Sequence, residues 1–258
     1  MKLEFIALEG LPMFRKGDDI GRLACERFSF GDGDVLLVAS TVVSKSEGRT
    51  VRLEDVVPSE RARMIAAAKE DDPRFVELVL GESADVVEMG GLLLCRTRFG
   101  HVGPNSGLDR SNVEDGVVLL LPVDPLSSAR RIADSIYRHQ GAVVGVIVTD
   151  TCGRPFRRGQ TGVALGVWGM PPMRDWRGLR DLYGRELEVT CEAVADELAA
   201  ASNLLMGEAG GGTPAVVARG LAPEERRTGM PGCDGLYRPD EDDLVYGVLR
   251  EHYSQHRP

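Results

Sequence analysis

Hydrophobic positions along the chain fall into short blocks separated by polar, glycine-rich stretches. "LEFIAL" (3–8) reads as a first strand, and "IGRLACERF" (20–28) has the apolar spacing of a short helix. "DVLLVAST" (34–41) is a continuous apolar strand ending in two hydroxyl residues. "PSERARMIAAAKE" places Ser59 as an N-cap ahead of a helix, and a second helix over roughly 73–80 runs into strands at "ADVVEM" and "LLLCRTRFGHVG". "GVVLLLP" (116–122) reads as another buried strand. The helix over 127–139 has its apolar face at Ala129, Ile132, Ala133 and Ile136. "AVVGVIV" (142–148) is the next strand. From about 187, Cys191, Val194, Leu198, Ala201 and Leu205 recur at three- and four-residue steps in a helix that stops at Gly207. "AVVARG" (215–220) is a late strand, and 222–243 is polar, Pro/Gly-rich and expected to be mobile. No repeat and no steady βαβ rhythm is present, so the expected class is α+β.

Composition narrows the function. The 258 residues are 43% hydrophobic and 28% charged, as in an ordinary soluble globular protein. The formal net charge of −9 and an aromatic content of only 5% argue against a nucleic-acid surface. Five scattered cysteines without a C-x-x-C pair fit reduced thiols. No signal peptide or stretch of ~18 apolar residues is present, so a soluble, cytoplasmic protein is expected, with no membrane partner.

Against that acidic background, "TDTCGRPFRRGQTG" (149–162) stands out. Arg154, Arg157 and Arg158 crowd a segment that reads as a glycine-bounded loop, just behind Asp150 at the end of an apolar run. Asp150, flanked by Thr149 and Thr151, suits a hard cation such as Mg2+, which takes only one or two protein carboxylates. The arginines suit phosphate oxygens. The plainer alternative is an Asp150 that caps a helix, with arginines in surface salt bridges; three arginines so close favour the anion reading. "FGHVGPNSGLDRSNVEDG" (99–116) offers Asp109 and Asn112. Asp109 suits a metal clamp together with Asp150, and the plainer alternative for the segment is an Asx-turn loop. His101 is a candidate base, though a lone histidine is more often structural. "NLLMGEAGGGTP" (203–214) is a helix end with a glycine-rich loop that brings bare backbone N–H groups near phosphate, and Glu208 is a possible further ligand. It lacks the P-loop pattern, and alone it reads as a C-cap and linker. In "ASTVVSKSEGR" (39–49), Ser40, Thr41 and Lys45 suit a phosphate, unless Lys45 is merely solvated. Together these point to a nucleoside triphosphate–metal site assembled from distant parts of the chain.

At the same residues the sequence resembles the coenzyme F-420-0:L-glutamate ligase family. The resemblance runs through "EGLP", "STVVSKSEGR", "NSGLDRSNVEDG", "TDTCGRPFRRGQTG", "DLYGRELEVT" and "VADELAAASNLLMGEAGGGTPAVVARG". It implies a stand-alone ligase domain over 1–258. The fold implied is two interleaved lobes of mixed and antiparallel sheet with flanking helices, in an intertwined homodimer. The implied reaction uses GTP with Mg2+ or Mn2+ at a two-metal site, helped by a monovalent cation (K+). It phosphorylates the terminal carboxylate of coenzyme F-420-0; the amine of L-glutamate then displaces the phosphate, and further γ-linked glutamates follow.

Carried onto this chain, the resemblance makes Asp109, Asp150, Thr151 and Glu208 metal ligands. Gly10, Leu11, Pro12, Met13, Ser40, Thr41, Lys45, Asn112, Met206, Gly207, Glu208, Ala209, Gly210, Gly211, Gly212 and Thr213 become guanine-nucleotide contacts. Arg154, Arg157 and Arg158 are assigned with Asp150 to catalysis on charge grounds. Departures are Ser106 where the family has alanine, an unmatched "WGMPPMRDW" (168–176), and a Gly210–Gly212 run lacking an acidic residue. Two other readings of the same features are a metal-dependent phosphohydrolase or phosphotransferase and a GTP-binding sensor.

Overall fold

The computed structural model describes residues 2–89, 91–221, 235–239 and 242–255, with backbone alone at 254–255. Cys233 and most of the polar segment 222–243 lie outside the described residues. In chain order the elements are β1 (Glu4–Ala7), α1 (Ile20–Cys25), β2 (Val35–Ala39), α2 (Ser40–Ser46), β3 (Thr50–Arg52), α3 (Glu60–Lys69), α4 (Pro73–Glu82), β4 (Ser83–Met89), β5 (Leu92–Thr97), β6 (Val102–Pro104) and β7 (Val117–Leu119). They continue with α5 (Pro125–Gln140), β8 (Gly145–Arg154), β9 (Arg157–Trp168), β10 (Arg174–Asp175), β11 (Cys191–Glu192), α6 (Val194–Met206), β12 (Ala215–Arg219) and α7 (Leu244–Gln255). The fold is α+β, divided into two compact units, Met1–Ser46 with Asp124–Leu236 and Glu47–Val123 with Tyr237–Pro258.

The first unit is built on a mixed five-stranded sheet in the order β1-β12-β2-β8-β9. Only β2 and β8 run parallel. Their apolar runs are continuous because both sheet faces are covered. Leu36, Val38, Val146, Val148 and Val217 pack into one layer with α1, α2 and α5. Val35, Leu37, Ile147, Val216 and Ala218 pack into the other with α6. All four α5 positions expected to face the core, Ala129, Ile132, Ala133 and Ile136, are buried. That helix starts with Asp124 accepting from the Ser127 N–H and Pro125 in its first turn, and it stops at left-handed Gly141. Gly21 lets α1 lie directly on α5, since a Cβ there would come within 2.6 Å of the Ser135 Cβ.

The second unit pairs α3 and α4 over the β4-β5-β6 antiparallel sheet and the β3-β7 pair. Its core is Ala62, Ile65, Phe75, Val76, Val79, Leu93, Cys95 and Val118. Ser59 caps α3 as expected, accepting from the Ala62 N–H. Tyr246 of α7 donates its hydroxyl to Asp85 of β4 at 3.2 Å, with Arg96 stacked 4.5 Å above its ring. Ser106, where the resemblance leads one to expect alanine, is buried and shares a 2.6 Å hydroxyl contact with Ser83.

Several elements differ from the sequence reading. Ser40 and Thr41 open helix α2 and do not end a strand. The supposed loop 149–162 is mostly strand, because β8 runs on to Arg154 and turns straight into β9. Helix α6 begins at Val194, so Cys191 belongs to the short strand before it. Helix α7 has no counterpart among the expected elements. Among the described residues Cys25, Cys95, Cys152 and Cys191 are free, and no helix is long and apolar enough to cross a membrane.

Candidate metal and nucleotide site

Four of the segments singled out by sequence leave the first unit's sheet at one end. Ala7 pairs with Val216, and Leu8 donates its N–H to Ala215 O, so β1 runs out toward Gly10–Met13 beside the start of β12. Ala39 donates to Pro214 O, which sets the close of the 206–213 loop beside the point where β2 becomes α2. Ala39 also pairs with Thr149, which brings β8 to the same level two residues before Thr151. Strands in register thus gather the 10–13 segment, the start of α2, the 149–151 stretch and the glycine loop.

Each segment has a local reason for its shape. Gly10 takes a left-handed φ of +72°, and Met13 is largely exposed to solvent. Ser40 is buried at the first position of α2 and Lys45 is half-buried in its last turn. The loop after α6 turns at left-handed Gly207, and a Cβ at Gly210 would meet nothing within 4 Å. Residues 207–212 are all exposed; the Gly207 and Gly211 N–H groups are spent on the Asn203 and Ala209 carbonyls, and the backbone between them is open to an anion.

The strand pleat sorts the candidate metal ligands. Val148 points into the α5 layer and Ile147 into the α6 layer. The bulge between Val148 and Thr149 skips Leu165 on β9 and leaves β8 unbroken. By alternation Asp150 follows Val148 onto the α5 side, while Thr151 follows Ile147 onto the α6 side. Glu208, just past the end of α6, is there to meet Thr151, whose hydroxyl lies 3.5 Å from its Oε2. The other oxygen, Oε1, accepts from Asn203 Nδ2 at 2.7 Å. Asp150 accepts from the Thr151 N–H at 2.8 Å and is half-buried. It lies inside a strand, so it caps no helix.

Among the described residues no group of three or more His, Cys, Asp or Glu converges as a metal site. What Asp150 on one face and Thr151 with Glu208 on the other offer is oxygen only: one carboxylate to each face, with the Thr151 hydroxyl beside Glu208. That donor set fits Mg2+ or Mn2+, which bind through one or two protein carboxylates and keep several waters.

The three arginines sit at the tip of the β8–β9 hairpin. Arg154 pairs with Arg157 across it, and Phe156 at the turn is 98% exposed with a φ of +65°. Arg154 Nη2 donates to the Arg158 carbonyl at 3.3 Å. Among the described residues the side chains of Arg157 and Arg158 enter no ion pair, so the salt-bridge alternative does not account for them.

Asp109, Asn112 and His101 belong to the second unit. Both Asp109 oxygens accept from Ser111, one from its N–H at 2.8 Å and the other from its hydroxyl, the arrangement of an Asx-turn. Asn112 is exposed and left-handed, with φ +52°. Burial pushes the His101 imidazole down to about 4, so it is neutral at physiological pH. Asn203 is the residue that the sequence reading passed over. The signal available was a single amide in the last, otherwise apolar, turn before Gly207.

The family model described as F420-0:Gamma-glutamyl ligase matches residues 10–220. A coenzyme F420:L-glutamate ligase of Archaeoglobus fulgidus is 50% identical over 250 residues, covering 97% of this chain and 99% of the relative. The protein of the same name from Halorubrum lacusprofundi is 49% identical over 255 residues, covering 96% and 98%. That of Methanosarcina mazei is 42% identical over 250 residues, covering 97% and 98%.

Proposed function

The chain belongs to the F420-0:gamma-glutamyl ligase family, and from that premise we propose that it forms the glutamyl amide of coenzyme F-420 at the expense of GTP. The terminal carboxylate of coenzyme F-420-0 takes the γ-phosphoryl group and GDP leaves. The amine of L-glutamate then attacks the acyl phosphate, the amide forms and phosphate leaves. Further rounds add γ-linked glutamates.

The observation that carries this reading is the gathering of the 10–13 segment, α2, the 149–151 stretch and the 206–213 loop at one end of one sheet. A triphosphate needs its charge neutralised and its γ-phosphoryl group held in line with the acceptor. Lys45 supplies a point charge, and the exposed backbone between Gly207 and Gly211 supplies N–H donors, with no side chain at Gly210 to stand in the way. Asp150 on one face of β8, and Thr151 with Glu208 on the other, would hold two divalent cations. Bound there, Mg2+ or Mn2+ supplies neutralisation of charge on the phosphoryl oxygens. Arg154, Arg157 and Arg158 suit the acidic groups of the coenzyme. For Asp109 as a ligand, for Asn112 as a nucleotide contact and for K+ as a helper ion, the support is the family resemblance. A homodimer is supported by the same resemblance and by the large apolar side chains that the first unit leaves in solvent, Phe156, Leu182, Tyr183 and Val189. A cytoplasmic location is proposed with it.

The test is GDP release with GTP and Mg2+, adding coenzyme F-420-0 and L-glutamate singly and together while product mass is recorded. Release that needs both, with the coenzyme gaining glutamyl units, is the expected result. Release indifferent to both would instead make the protein a phosphohydrolase, and binding without release would make it a sensor.

A further inference from the structure

Glu208 stands on an exposed loop followed by Gly210, Gly211 and Gly212, where a carboxylate has little to hold it. Freezing a glutamate side chain costs rotamer entropy, so a floating carboxylate is a poor ligand. Asn203 removes much of that freedom. Its carbonyl accepts the Gly207 N–H at 2.9 Å, and its side-chain amide donates to Glu208 Oε1 at 2.7 Å. One residue therefore fixes both the backbone turn that ends α6 and the carboxylate just beyond it. Thr151, 3.5 Å from Oε2, is too far to fix the group alone. With Oε1 anchored, Oε2 is left on the Thr151 side.

We propose that Asn203 is a positioning residue that acts through Glu208, presenting its other oxygen, Oε2, to a hard divalent cation. The inference rests on the reading of Glu208 as a ligand. The residue type follows from the contact. Aspartate would set two carboxylates against each other, leucine keeps the shape without the donor, and glutamine adds a methylene to a 2.7 Å contact.

Mn2+ binding to the purified full-length protein, followed by the spin-resonance signal of the free ion, tests this with Asn203→Leu, Glu208→Gln and the double variant. Loss of an outer-shell partner weakens metal binding about 10–100-fold. Asn203→Leu is expected in that range and Glu208→Gln at least as low, with the double variant no weaker than Glu208→Gln alone. At saturating Mn2+, Asn203→Leu should recover most of its turnover number, with the defect confined to the metal requirement. Wild-type affinity in Asn203→Leu, beside a loss in Glu208→Gln, overturns the positioning role alone. An Asn203→Leu loss that persists undiminished in the Glu208→Gln background overturns it too. Absence of Mn2+ binding in the wild type, or unchanged affinity in Glu208→Gln, overturns the ligand reading and the proposal together. Should Asn203→Leu fail to fold, Asn203→Ala carries the same comparison.

Discussion

Gly162 on β9 lies so close to α6 that a Cβ there would stand 2.4 Å from the Ala199 carbonyl oxygen. The contact is backbone against backbone, so no side chain can swing away. Gly162 also pairs directly with Thr151. The missing Cβ therefore sets the spacing between the strand pair that carries Thr151 and the helix that delivers Glu208. Gly162→Ala is expected to cost about 1–3 kcal/mol, as overpacking does, and to weaken Mn2+ binding as well. Urea unfolding and a metal titration check it. Unchanged stability would mean that α6 shifts freely.

Asp150 is half-buried on the α5 side of β8, with the neighbouring Thr151 N–H as a donor to its carboxylate. Asp150→Asn keeps the shape and a hydrogen-bonding oxygen while removing the charge. Turnover is expected to fall more than about 100-fold, beyond the loss typical of an outer-shell partner, with the melting temperature kept. Near-normal turnover in a folded Asp150→Asn protein would remove Asp150 from the metal.

Lys45 is half-buried in the last turn of α2, the helix that begins where β2 ends. A hydrogen bond to a charged group is worth about 1.5–3 kcal/mol, roughly a factor of 10 or more in affinity. Lys45→Ala is expected to weaken GTP binding by that factor in a calorimetric titration. Unchanged affinity would leave Lys45 without a phosphate role.

Why some of this was legible in sequence and some was not follows from what each signal depends on. The α5 face and the Ser59 cap are local and periodic, and both were readable. Helix α2 was not, because Thr41, Val42 and Val43 are β-branched residues with weak helix propensity, overridden here by packing of Val42 and Val43 into the core. The hairpin beyond Thr149 was hidden because Gly153, Pro155 and Gly159 are breakers, so an extended two-stranded arm looked like a loop. The site itself was legible only as residue types. Its assembly depends on long-range register, Ala39 against Thr149 and Ala7 against Val216, which no local pattern encodes.

The hairpin tip gives a separable prediction. Arg157 and Arg158 are exposed. Replacing both by alanine is expected to change stability by less than about 0.5 kcal/mol, as at surface sites away from specific contacts. If they bind acidic groups of a substrate, KM for GTP or for the coenzyme should rise about 10-fold while the melting curve stays put. A stability loss with unchanged KM would assign them to the fold.

His101 gives the last prediction, and its sign can be worked out. Burial holds the folded imidazole near 4, against about 6.5 in an unfolded chain. Between those values the unfolded state binds the extra proton, so falling pH favours unfolding. The stability that His101 contributes is complete above pH 6.5, declines from there toward pH 4, and falls no further below. The ring is half-buried and not sealed, so the effect at pH 5 is at most about 2 kcal/mol. His101→Gln should therefore lose less stability than the wild type between pH 7 and pH 5, measured by urea midpoints. The comparison cancels the other three histidines of the sequence, which both proteins retain. Parallel losses would show that the folded ring takes up its proton as readily as in the unfolded chain.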